Sequence, residues 1–174
     1  MTLKVLVFII AVIAAILILA ATRPDTFYIR RSRTISAPPE KIFALINDLH
    51  NWSRWAPQDR EDSSLKRVFS GAPMGVGAVC EWEGRGTSGK GTMRIVESDA
   101  PREVVIQVDW VNPFKARNMN EFALEPDGTG TKVTWSMSGP NLYMMKLMGV
   151  FTNMDRMMGK HFEDGLENLK TVAE

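Results

Sequence analysis

The sequence predicts an α+β fold: a curved seven-stranded antiparallel sheet wrapped on a long C-terminal helix, with one hydrophobic transmembrane helix ahead of it. Three patterns lead there. The N-terminus carries an uncharged apolar run, the middle has apolar residues at every second position, and the last segment has them every three or four. Of the 174 residues, 45% are apolar and 24% charged. Those fractions suit one domain of about 100–150 residues with an appendage. The expected division is an anchor at 3–21, a linker at 22–26 and a single domain at 27–173.

From Val5 to Ala21 no charged or strongly polar side chain interrupts the chain. Leu3 and the aliphatic stem of Lys4 lengthen the run to about the 20 helical residues that cross a hydrocarbon core of roughly 30 Å. A cleaved signal peptide has a shorter apolar core and a small-residue cleavage site, for which only Ile18-Leu19-Ala20 offers itself, and poorly. A buried core helix would be unusually apolar on every side. The anchor is therefore the expected reading, making this a single-pass membrane protein. Its orientation stays open. Arg23, Arg30, Arg31 and Arg33 follow the span and lean the positive-inside count toward a cytoplasmic domain. Yet three of them fall in a strand, and a short N-terminal anchor ordinarily keeps its N-terminus inside.

After the linker, 27–36 (FYIRRSRTIS) reads as a first strand, rich in β-branched and aromatic residues. Ala37-Pro38-Pro39-Glu40 then opens a helix, since proline is tolerated where the first-turn N–H has no partner, and Ser36 is the expected cap. Ile42, Phe43, Leu45, Ile46 and Leu49 follow at helical spacing, and a second short helix is expected to carry Trp52 and Trp55 up to Pro57.

Between Ser64 and Gly139 the expected strands are 64–70, 76–84, 90–98, 102–111, 115–125 and 131–139, separated by glycine- and proline-rich turns. Alternation sorts their faces. Cys80 and Trp82 oppose Glu81 and Glu83, and Val104, Ile106, Val108 and Trp110 oppose Gln107 and Asp109. Val133, Trp135 and Met137 oppose Lys132, Thr134 and Ser136. One face is apolar and the other solvated, as in an antiparallel sheet covered on one side. The cover is Asn141 to Val172, whose Met144, Met148, Phe151, Met158, Phe162, Leu166 and Leu169 form one stripe. As a continuous helix it would run roughly 45 Å, with Gly149 the expected kink.

Several functions are disfavoured. Lys and Arg (21) nearly balance Asp and Glu (20), so no basic face for nucleic acid is expected. Cys80 is the only cysteine, which forbids an intramolecular disulfide, and His50 and His161 stand in no metal-ligand spacing. No metal, cofactor or catalytic triad is expected. The run Gly84 to Gly89 lacks both the following helix and the Gly-Lys-Ser/Thr ending of a phosphate loop, and reads as a hairpin connection. Glu81 and Glu83 point outward together, where water would not split their pKa values for acid–base work.

The string APPEKIFALINDLHNWSRWAP (37–57) resembles the opening of bacterial SRPBCC proteins, the polyketide cyclase/dehydrase and lipid-transport superfamily with a START-like, helix-grip fold. Gly75-Val76-Gly77-Ala78, Gly91-Thr92-Met93-Arg94-Ile95, FALEPDGTGTKVTW (122–135) and GKHFEDGLENLK (159–170) extend the resemblance over about residues 28–173. It implies an apolar cavity between sheet and helix, a hydrophobic small-molecule ligand and, with the anchor, a place in a bacterial inner membrane. The family spans lipid carriers, hormone-binding proteins, aromatase/cyclases and chaperone activators, so the fold does not fix the activity.

On that frame the expected cavity lining is Trp52, Trp55, Trp82, Met93, Trp110, Asn118, Asn120, Phe122, Trp135, Met137, Met144, Met148 and Phe151. The five Trp supply large flat surfaces with one N–H donor each, though plain core packing explains them equally well. Six of the eleven Met lie between Met144 and Met158, an adaptable surface for varied apolar ligands or an undemanding core helix. Leu142 to Phe151, with Lys146 its one charge, is also apolar enough to lean on a bilayer. Asn118 and Asn120 fall at the same alternate positions as Phe122 and Leu124, so their amides either meet a ligand or satisfy one another, a water or a neighbouring backbone. Arg31 and Arg33 share the face of Ile29 and Ile35, so one is a candidate buried anion partner, with an exposed edge the expected place; His161 lies at the edge of the last helix's stripe and is expected to pack. The leading reading is a membrane-tethered binding or carrier protein for a lipid, isoprenoid or polyketide-like compound. A cyclase/aromatase-like enzyme and a partner-binding regulatory domain are the alternatives.

Overall fold

The period-two stretch folds as its alternation requires, into strands that join one antiparallel sheet. The computed structural model describes residues 2–58, 62–113 and 115–174. Helix α1 (Thr2–Ala21) leads through a turn into β1 (Thr26–Ile35), which is followed by α2 (Pro39–Asn47) and a 3-10 helix (Leu49–Arg54). Then come β2 (Lys66–Gly71), β3 (Ala78–Glu83), β4 (Lys90–Asp99), β5 (Glu103–Asn112), β6 (Ala116–Asp127) and β7 (Gly130–Pro140). Helices α3 (Tyr143–Phe151) and α4 (Met154–Ala173) close the chain. The strand order is β1-β7-β6-β5-β4-β3-β2. This is the helix-grip arrangement, with α4 held against the concave side.

The last helix is not continuous. It breaks at Thr152 and Asn153 rather than bending at Gly149. The Thr152 hydroxyl and N–H both donate to the Met148 carbonyl and finish α3, while the Asn153 side chain accepts the Arg156 N–H at 3.0 Å and starts α4. Asparagine is among the strongest N-caps, so a residue that reads as a polar position within a helix instead begins one. Ser36 is likewise not a cap. The cap of α2 is Pro38, without a side-chain bond, and the Ser36 N–H donates to Glu174 at 2.8 Å. Strand β3 begins two residues later than expected, because Gly75 and Gly77 take positive φ in the preceding turn.

The core is aromatic at its centre. Trp135 of β7 stacks on Phe162 of α4 at 4.2 Å with rings 5° from parallel, and Phe122 of β6 stacks on Trp135 at 4.9 Å. Trp55 stands edge-on to both Phe122 and Trp135 at 6.0 Å. Such pairs add about 0.5–1.5 kcal/mol each beyond area burial. Gly165 makes the helix–sheet contact possible, since a methyl there would overlap the Trp135 ring. Arg31 and Arg33 do stand on an edge strand, β1, but both are engaged there. Arg31 reaches across α4 to Asp155 at 3.0 Å and Glu163 at 2.8 Å, and Arg33 pairs with Glu167. Thr134 and Ser136, expected on a solvated face, are buried. They are small side chains with register neighbours in β1 and β6 on either side.

Helix α1 is long and apolar enough to cross a membrane, with a mean hydropathy of 3.1, and 6% of that stretch is buried in the fold.

Candidate functional site

Between the concave sheet and the helices lies a cavity of about 1020 Å³. That is the upper end of the range for small-molecule pockets, about 300–1,000 Å³. The inward residues of β3 to β7 form its floor, α4 one wall and α3 the rim. Trp52, Trp82, Met93, Trp110, Asn118, Asn120, Trp135, Met137, Met148 and Phe151 line it. Three expected residues do not. Trp55 and Phe122 are fully buried in the aromatic core, where the Trp55 indole donates to the Leu45 carbonyl at 3.2 Å. Met144 is half exposed in the first turn of α3, outside the lining.

The two tryptophans at the far end are held rather than loose. Trp82 donates its indole N–H to the Ser88 carbonyl at 2.9 Å and meets Trp110 edge-to-face at 5.0 Å. Gly91, beside Trp82 in the register, leaves room for that ring, since any side chain there would overlap it. The Gly84–Gly89 connection supplies the Ser88 carbonyl and is itself clipped by Asp62. The Asp62 carboxylate accepts from the Ser64 hydroxyl at 2.5 Å, the Arg85 N–H at 2.8 Å and the Ser64 N–H at 2.9 Å. These donors, the hydroxyl foremost, lower its pKa to about 2.

Polarity on the apolar floor is concentrated at two amides on neighbouring inward positions of β6. Asn120 Oδ1 accepts the Trp135 indole N–H at 3.0 Å. An indole nitrogen only donates, so this bond fixes the amide's orientation and leaves Asn120 Nδ2 as the donor available to a ligand. Asn118 lies about 7 Å further along the strand, two residues away. It is 8% exposed, and its Oδ1 is buried with no hydrogen-bond donor among the described residues. Asp155 is the one carboxylate among the described lining residues. It is tied to Arg31, whose hydrogen bond holds its pKa below the usual carboxylate range.

Other lining residues escaped the sequence reading. Arg23, Phe27 and Tyr28 come from the linker and β1, and Met145 and Lys146 from α3. His161, expected to pack, also faces the cavity. The period-two pattern of β1 was a usable signal for Phe27, but nothing local marks Arg23 or Lys146. Among the described residues no group of His, Cys, Asp and Glu is placed to hold a metal ion.

A family model described as polyketide cyclase / dehydrase and lipid transport matches residues 26–174. The chain belongs to that family. Its match begins at the first residue of β1, so the family accounts for the sheet and the grip, and α1 lies outside the match. Solved structures of the same fold include protein CV1439 from Chromobacterium violaceum, with a TM-score of 0.62 and 16% identity over 87% of this chain and 99% of that one. Aha1 from Colwellia psychrerythraea, solved as a dimer, gives 0.56 and 18% over 85% and 96%. The di-domain ARO/CYC protein BexL gives 0.64 and 14% over 90% of this chain and 52% of its own. At these identities the likeness shows the fold alone. No functionally curated protein matches the sequence.

Proposed function

We propose that this family member is a membrane-tethered carrier for a hydrophobic small molecule that bears one hydrogen-bonding polar group. The observation that carries the reading is the cavity: about 1020 Å³, walled by Trp and Met, with Asn118 and Asn120 on an apolar floor. An apolar body would displace water from the aromatic and Met surfaces, a gain of about 25 cal/mol per Å² of area removed from water. A carbonyl, carboxylate or hydroxyl would meet the Asn120 Nδ2 and the Asn118 amide. On this reading ten of the thirteen residues named from sequence would contact the ligand, Trp55 and Phe122 would support them from the core, and Met144 would lie outside the lining. Helix α1, taken as a single-pass anchor ahead of a domain spanning 27–173, would hold this cavity beside a lipid reservoir in a bacterial inner membrane.

Carriage is preferred to cyclisation because the lining carboxylate, Asp155, is engaged by Arg31 and poorly placed to take up a proton near neutral pH. A di-domain ARO/CYC protein shares the fold, which keeps an enzyme as the second reading. The test is native mass spectrometry of the full chain released from lipid nanodiscs, paired with displacement of 1-anilinonaphthalene-8-sulfonate by fatty acids, isoprenols and flat polycycles. Retained lipid and competitive displacement support carriage. A protein that emerges bare and takes up no probe refutes it, and chemical conversion of a bound compound favours the enzyme.

A further inference from the structure

Helix α3 belongs to two structures at once. Its inner side lines the cavity through Met145, Lys146 and Met148. Its N-terminal end is fastened to the end of α1 and the linker, and the two helices pack together. The Tyr143 hydroxyl donates to the Leu17 carbonyl at 3.3 Å, and Asn141 donates its side-chain N–H to Pro24 at 3.0 Å and its backbone N–H to Asp25 at 2.7 Å. Lys146, the only charged side chain in α3, is buried and paired with Asp25. What remains outward is Tyr143 and Met144, while Met148 and Phe151, the last 70% exposed, stand at the rim where lining and surface meet.

Leu17 lies four residues before the end of α1, which at 1.5 Å per residue is about 6 Å inside the span. A helix bonded at that level would lie at the depth where interfacial amphipathic helices bury an apolar face, about 5–10 Å into the headgroup and acyl boundary. Tyrosine is suited to that level, with its ring in the acyl region and its hydroxyl among polar groups. The single charge of α3 is buried and balanced by the exposed carboxylate of Asp25, which removes the main electrostatic cost of placing α3 there.

We propose that the outward face of α3 seats in the surface of the bilayer that α1 enters, so that the cavity rim opens to lipid and the cargo exchanges directly with the membrane. The proposal rests on reading α1 as an anchor, and its exchange step rests on carriage. Met144 is the residue to test, because it lies on the outward face and does not line the cavity.

The full chain carrying Met144→Cys with an environment-sensitive dye is reconstituted in phosphatidylcholine vesicles containing phosphatidylglycerol. Buried Cys80 is shielded from the label, and Val68→Cys on the exposed side of β2 serves as the wet control. The expected result is a blue-shifted Met144 dye, quenched by spin-labelled lipid and protected from iodide, with the opposite at Val68. An iodide-quenched Met144 dye on protein that floats with the vesicles overturns the seating while leaving the anchor intact. Failure to float overturns the anchor and the seating together, and a dry dye with no lipid quenching assigns the face to a second copy or another protein, which also overturns it. In a second arm, Met144→Glu should keep equilibrium binding of a fluorescent fatty acid and slow its transfer to vesicles. Unslowed transfer refutes direct exchange; absence of fatty-acid binding in both proteins refutes carriage of that acid, and with it the exchange step, while the dye still decides the seating.

Discussion

The indole N–H of Trp135 and the side-chain oxygen of Asn120 stand 3.0 Å apart, and that bond couples the aromatic core to the polar floor of the cavity. The ring that stacks on Phe162 also orients the amide that faces the cavity. Asn120→Leu should leave the Trp135 donor unpaired and lower stability by about 1–3 kcal/mol. It should also weaken binding of polar-headed ligands more than binding of plain hydrocarbons. Chemical denaturation of the detergent-solubilised chain and a displacement series on the same variant measure both effects.

Gly91 makes a second prediction. A methyl at this position would overlap the Trp82 ring and the neighbouring β5 backbone at Asp109. Gly91→Ala should cost about 1–3 kcal/mol, the usual range for overpacking. It should also shift the tryptophan fluorescence by moving Trp82 off Trp110 and off the Ser88 carbonyl. An unchanged spectrum with unchanged stability would refute this account of the cavity's far end.

The Arg31 clasp between β1 and α4 predicts a pH dependence. Arg31 lowers the Asp155 pKa in the folded state, chiefly through its hydrogen bond. A lowered folded pKa means stabilisation that is full above the ordinary carboxylate range and lost as pH falls through the folded value. Arg31→Met should therefore lower the melting temperature at neutral pH, and the difference from the parent chain should shrink on acidification below about pH 4. A difference that grows on acidification would contradict the sign.

Asp62 provides a local pH probe. With its pKa lowered to about 2, the clip to Arg85 should persist when ordinary carboxylates have protonated. The Arg85 amide resonance should titrate near that value. A midpoint near 4, the usual aspartate range, would show that the three donors do not act together on the carboxylate.

The helix cap gives the last prediction. Asn153→Ala removes the acceptor for the Arg156 N–H and should cost about 1 kcal/mol. Asn153→Asp should retain the stability. Thermal unfolding of the two variants separates capping from a general effect of substitution in the connection.

The sheet was legible because burial of one face imposes a period of two, and β5 shows it without interruption from Val104 to Val108. The broken C-terminal helix was not, because Asn153 acts through its dihedral angles and its bond to Arg156, and an apolar stripe runs through the break unchanged. The same continuity hid Met144, which keeps helical spacing with Met148 but sits one turn nearer the start of α3, half exposed and outside the lining. Trp55 has the residue type, and Phe122 the residue type and alternation, expected of lining residues. Only the third dimension, with Trp135 and Phe162 packed around them, places them in the core. The ion pair between Lys146 and Asp25 joins positions 121 apart, a distance over which periodicity carries no information.

The pairing of β1 with β7 has a consequence for synthesis. Thr26 faces Pro140 and Ile35 faces Thr131, so the first strand to leave the ribosome pairs with the last. Contacts of such long sequence separation form slowly because loop closure must precede their reward. Until β7 emerges, β1 presents an unpaired strand edge next to α1, the segment destined for lipid on this reading. Premature release of truncated chains, or a delayed C-terminus, should therefore yield membrane-bound intermediates prone to pair edge-to-edge with one another.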